Sequence, residues 1–133
     1  MKVVIDTNRI IAALLKDNTT RNILLNNQFE FITPDHTLKE LDKHKEELRN
    51  KIGLEIEEFD LLVSLMFEQI EIISESEYKE FFNECYALIE IDDIPFLALA
   101  LANKAPIWTH DAHFSRQSKA RVLSNKDLLD TSP

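Results

Sequence analysis

The sequence predicts an α/β protein, a three-layer α/β/α sandwich built on a central parallel sheet of four to five strands. Three observations lead there. Short runs rich in β-branched and aromatic residues, KVVI (2–5), FEFI (29–32), IEII (70–73) and PIWT (106–109), are too short for helices, and KVVI is apolar enough to be buried on both faces. Longer stretches between them carry apolar residues at helical spacing. Strands that alternate with helices pair in parallel and are covered on both faces. At 133 residues the chain fits a single domain, residues 1–133, and is long enough to bury a core. It contains no repeat, linker or low-complexity stretch.

Taken in order, KVVI reads as a central strand. Ile10, Ile11, Leu14 and Leu15 predict a helix from Thr7 to about Lys16, and TTRNILLNN (19–27) a second. FEFI is the next strand. Pro34 and Asp35 open a long helix through about Lys51, with Leu38, Leu41 and Leu48 on one stripe and Gly53 as its stop. A further helix spans Leu54 to Glu68 before IEII. SESEYKEFFNECYALI begins with a capping pattern at Ser74 or Ser76 and continues as a helix. Asp92 and Asp93 then precede an apolar helix with Pro95 in its first turn and Asn103 near its end. PIWT follows as a strand, ARVLS (120–124) as a fifth, and NKDLLD as a last short helix.

Composition excludes several functions. One glycine, Gly53, cannot build a Rossmann fingerprint or a Walker loop. No apolar run approaches the roughly 20 residues that cross a bilayer, and MKVVIDTN lacks a signal-peptide core, so the expected location is the cytoplasm. The lone Cys85 has no disulfide partner and reads as core filling. Net charge is −9, yet residues 54–93 hold thirteen acids against Lys79 alone, so the acidity is concentrated there and other faces remain free to meet an anion.

Ligands of such a sheet bind at the carboxyl ends of its strands. Asp6 follows the first strand, Asp111 stands two residues past Thr109, and Asp93 starts the helix that descends from the same edge. Glu40 falls in the second turn of its helix, about 9 Å below its start. Singly, each acid has an ordinary explanation as a cap, a turn residue or a solvated helix acid. Together they share a pocket only by protonating or by binding a cation. All-oxygen ligation suits Mg²⁺ or Mn²⁺.

The segments VVIDTN, LKEL, DDIPFLALALA and IWTHDAHF, in this order, resemble the PIN-domain family, small metal-dependent ribonucleases that include VapC-type toxins. The resemblance covers essentially the whole chain and implies the same α/β/α fold. It carries the family's four acids onto Asp6, Glu40, Asp93 and Asp111, as metal-binding and catalytic residues for RNA phosphodiester hydrolysis. Asp6, Asp93 and Asp111 would hold metal, while Glu40 either ligates or orients the attacking water. Thr7, Asn8 and Thr109 would fix carboxylate orientation from behind, and Asp92 is a cap or outer acid. A VapC-like toxin also implies a cognate antitoxin and a homodimer.

Phosphate contacts require positive charge. Arg9 near the first strand, and Arg116 and Lys119 after the last acid, are the expected substrate contacts; His110 and His113 flank Asp111 and read either as phosphate contacts or, more simply, as surface residues outside the catalytic set. Three rival readings stand beside this one. His36, Glu40 and His44 at four-residue spacing suggest zinc but lack an HExxH pattern and a remote third ligand. A phosphotransferase with Asp6 as nucleophile would need an acid where Asn8 stands. The rival from another class is a PIN fold that holds RNA or protein without cutting it.

Overall fold

The computed structural model describes residues 1–26 and 28–131. Five strands form one wholly parallel sheet: β1 (Lys2–Ile5), β2 (Glu30–Pro34), β3 (Ile70–Ile73), β4 (Ile107–Trp108) and β5 (Val122–Leu123), in the spatial order β3-β2-β1-β4-β5. β1 is the central strand, with Val3 opposite Phe31 of β2 and Val4 opposite Ile107 of β4. The pleat divides its apolar residues between two cores. Val3 and Ile5 face one side, with Phe31, Trp108 and Leu123; Val4 faces the other, with Ile32 and Ile107.

The first core is roofed by α1 (Thr7–Leu14), α2 (Asn18–Leu24), α3 (His36–Lys43), α4 (Lys45–Ile52), α5 (Ile56–Phe67) and α8 (Asn125–Asp130), through Ile10, Leu14, Ile23, Leu24, Leu41, Leu48, Phe59 and Leu128. The second is covered by α6 (Phe82–Cys85) and α7 (Ile94–Asn103). Within α7, Phe96 through Ala100 are all buried, as an apolar run without a polar stripe requires. This is the expected three-layer α/β/α sandwich with five strands. Cys85 is fully buried in the second core, and burial pushes its thiol up to about 11.

Several element boundaries differ from expectation. The helix expected from Pro34 to Lys51 is two helices: Pro34 closes β2, and the chain leaves helical geometry at His44 (φ −103°, ψ 6°). Leu38 is exposed and off the stripe that buries Leu41 and Leu48. Gly53 does stop α4, at φ 79° in the left-handed region. The helix expected from Ser74 is replaced by 3₁₀ turns at Glu75–Glu77 and Lys79–Phe81 followed by the single turn of α6. A tertiary contact explains the change: the Asp35 carboxylate accepts the Glu75 amide at 3.1 Å and the hydroxyl of buried Tyr78, which pulls Tyr78 to φ −134°. Neither serine caps; their hydroxyls meet each other at 3.3 Å. The second helix starts at Asn18, where Asp17 accepts the Thr20 amide, and its expected end at Asn27 lies outside the described residues.

Candidate metal centre

Every strand ends at one edge of a parallel sheet, and the four acids gather there. Asp6 leaves β1 at the N-cap of α1, Asp93 is the N-cap of α7, and Asp111 stands just past β4. Asp6 and Asp93 occupy cap positions without capping: neither side chain accepts a hydrogen bond from the helix it precedes. The Asp6 carboxylate instead accepts the Thr109 hydroxyl at 2.7 Å. Asp111 does cap, accepting the His113 amide at 2.9 Å.

Two hydroxyl relays fix these acids. Thr109, buried behind β4, donates its one proton to Asp6 Oδ2 at 2.7 Å and accepts from the Asp111 amide at 2.9 Å and from Asn8 Nδ2 at 3.3 Å. One side chain thereby ties Asp6, Asn8 and Asp111 together. On the other side Thr33 donates to the Ile5 carbonyl at 3.0 Å, Thr37 lies 2.7 Å from Thr33, and Thr7 donates to Glu40 Oε1 at 2.9 Å. The Thr7 and Thr37 hydroxyls are 3.2 Å apart. Glu40 sits a full turn into α3, and this chain of threonines holds its carboxylate against the start of α1.

The electrostatics record the crowding. Burial, opposed by the Thr109 hydrogen bond and reinforced by the charges of Glu40 and Asp93, raises Asp6 from the usual carboxylate range to about 7. Asp93 is raised as well, first by burial, then by Asp111, with Asp92 and Glu40 adding to it and His113 opposing it. The carboxylate oxygens of Asp93 and Asp111 and a ring nitrogen of His113 all lie within 4.8 Å of one another, an oxygen-rich donor set suited to one divalent ion. Asp6 and Glu40 stand outside that inner group, coupled to it by charge.

The PIN domain family model matches residues 4–125, most of the chain. The chain belongs to the PIN domain family. No curated protein matches it. Among solved structures, this PIN domain resembles VapBC2 from Rickettsia felis, solved bound to a DNA fragment from their promoter, with a TM-score of 0.71 and 20% identity over 93% of this chain and 98% of that one. It also resembles VapBC-1 from nontypeable Haemophilus influenzae, with a TM-score of 0.64 and 21% identity over 95% of this chain and 99% of that one. At these identities the likeness is one of fold.

The remaining predicted residues of this PIN domain divide by position. Arg9 lies beside the acids, its Nε donating to Asn8 Oδ1 at 3.1 Å; burial lowers its pKa, and the charges of Asp17 and Asp6 oppose that shift. Arg116 pairs with Glu90 at 3.4 Å, just before the 3₁₀ turn that ends in Asp93. Lys119 does not join them. It pairs with Glu84 and lines a hollow with Met1, Pro106 and Arg121, residues that precede strands, so it stands at the opposite edge of the sheet. The chain recrosses the sheet's length between Arg116 and β5, which separates neighbours in sequence. Asp92 is exposed in a hollow beside Glu40 with His36, Lys39, Lys43 and His44, where two lysines unremarked in the sequence stand close to an acid of the site. Among the described residues His36, Glu40 and His44 line one hollow but do not bring three ligand atoms together: His36 Nε2 is 3.8 Å from Glu40 Oε1, and His44 Nδ1 is 3.9 Å from Glu47 Oε2. Sequence gives no signal for Thr33 and Thr37, because a threonine in a buried strand reads as a strand former and one in the first turn of a helix as an ordinary helix-start residue.

Proposed function

We propose that this PIN domain is a divalent-metal-dependent endoribonuclease, using Mg²⁺ or Mn²⁺ to hydrolyse RNA phosphodiester bonds, and that it is the toxin of a toxin–antitoxin pair. The observation that carries the reading is the convergence of Asp6, Glu40, Asp93 and Asp111 on one sheet edge, with Asp6 buried and its pKa raised to about 7. Carboxylates held together against their own repulsion call for a cation.

In this mechanism Asp93 and Asp111 would hold the ion together with Asp6, which Thr109 orients. Bound divalent cation lowers the pKa of water and offsets charge on a scissile phosphate. Glu40, one oxygen engaged by Thr7, aligns the attacking water and takes its proton on the other. Thr7, Asn8 and Thr109 keep the carboxylates aimed, and Asp92 tunes Asp93 from outside. Arg9 and Arg116 meet the phosphate backbone, joined by Lys39 and Lys43 along the α3 hollow. Lys119, at the other edge, is left out.

The VapBC names of the structural relatives, with the resemblance to VapC-type toxins, support an antitoxin partner and a homodimer. No described helix is long and apolar enough to cross a membrane, and a cytoplasmic location suits an RNA substrate. The test is cleavage of single-stranded RNA, structured RNA and DNA by purified protein, with Mg²⁺, with Mn²⁺ or with chelator. The reading predicts RNA cleavage that chelation and Asp93→Asn both abolish. Cleavage that survives both sinks the mechanism, and binding of RNA with no cleavage under any metal favours the non-cutting rival.

A further inference from the structure

We infer that His113 is a nitrogen ligand of the metal at this edge, which departs from an all-carboxylate site and biases it toward Mn²⁺ over Mg²⁺. The inference rests on the reading above that the acids hold a divalent ion, and it goes further by naming the donor that sets which ion.

The geometry around His113 fits a shared ion better than a hydrogen bond. Its Nδ1 lies 3.5 Å from Asp111 Oδ1 and 3.7 Å from Asp93 Oδ2. Nitrogen-to-oxygen hydrogen bonds cluster at about 2.7–3.2 Å, so neither contact is a good one. Donors that surround one ion at about 2.1 Å stand about 3.0 Å apart at right angles and about 3.4 Å apart at tetrahedral angles, close to the separations here. Among the described residues the ring meets these two carboxylates and makes no shorter hydrogen bond.

The imidazole is also built into the same unit as the two acids. The His113 amide caps onto Asp111 Oδ1 at 2.9 Å. The next residue, Phe114, is fully buried and meets Phe96 edge-on at 6.3 Å, and Phe96 belongs to α7, the helix that Asp93 begins. One aromatic contact therefore joins the two segments that carry the three donors. His110 is different: its Nε2 accepts the Asn125 amide at 3.4 Å, on the β5 side of the edge. Mg²⁺ binds imidazole poorly and prefers oxygen, whereas Mn²⁺ and its neighbours in the transition series accept nitrogen.

The test is pulsed electron paramagnetic resonance of Mn²⁺ bound to the full chain, read for nitrogen hyperfine coupling, together with Mn²⁺ and Mg²⁺ titrations. Coupling is expected in the wild type and in His110→Ala, and its loss in His113→Ala. Mn²⁺ affinity should fall roughly tenfold in His113→Ala while Mg²⁺ affinity changes little. His113 is exposed, so the variant is expected to fold, and circular dichroism checks this. Bound Mn²⁺ without nitrogen coupling overturns the inference and leaves the metal-dependent reading standing. Coupling present in a protein that cuts no RNA supports the inference while the nuclease reading fails. Wild-type protein that binds no Mn²⁺ overturns both.

Discussion

Asp6→Asn should stabilise the metal-free protein at alkaline pH. Asp6 is 7% exposed, and its carboxyl pKa rises from 3.8 to about 7 on folding. A raised carboxylate pKa means that the folded state prefers the protonated form. The ionisation penalty is therefore absent below about pH 4, grows between pH 4 and 7, and is complete above 7. At about 1.4 kcal/mol per pKa unit the full penalty is about 4 kcal/mol, an upper figure once water entry and relaxation are allowed for. Asparagine keeps the shape and can still accept the Thr109 hydroxyl, but carries no charge. In chelator at pH 8, Asp6→Asn should be more stable than wild type by roughly 2–4 kcal/mol, with a melting temperature higher by about 10 °C. At pH 4 the difference should nearly vanish. Saturating Mn²⁺ should stabilise the wild type more than the variant. Urea denaturation at the two pH values measures the effect. If the variant is equally or less stable at pH 8 without metal, the crowded carboxylates are not under the strain argued here.

Thr109→Val removes the hydroxyl that joins Asp6, Asn8 and the Asp111 amide, so it should cost about 1–3 kcal/mol in urea denaturation and lower RNA cleavage more than RNA binding. Trp108→Ala empties a fully buried site that packs against Phe31 at 5.3 Å and donates to Asn125 Oδ1 at 2.8 Å; a loss of about 3–5 kcal/mol is expected by the same assay. Arg9→Ala should weaken RNA binding and flatten its salt dependence by about one unit of slope, whereas Lys119→Ala should leave both unchanged, as filter binding across a salt series will read.

The sheet was legible because parallel strands buried on both faces write themselves as short apolar runs, and each expected run became a strand within a residue or two. Helix continuity was less legible. No proline or glycine marks the joint at His44, so apolar spacing ran straight through it. The segment after β3 lost its helix to a bond between Tyr78 and Asp35, groups far apart in sequence whose pairing no local pattern announces. Asp6, Asp93 and Asp111 could be placed from sequence because strand ends and helix starts fall at a known edge. Glu40 could not be placed securely, since its reach depends on the buried Thr33, Thr37 and Thr7 hydroxyls. Lys119 is close to Asp111 along the chain but not in space, because the chain returns to the far edge before β5. His113 reads from sequence as a loop residue two positions beyond Asp111, and only the fold sets its ring beside Asp93 as well.

The central claim is that the acids at the carboxyl edge meet around a cation. Anomalous diffraction from a Mn²⁺-soaked crystal of this PIN domain tests it most directly. The expected result is an anomalous peak within about 2.5 Å of carboxylate oxygens of both Asp93 and Asp111, lost in Asp93→Asn crystals. A fully soaked crystal with no peak between those carboxylates would contradict it.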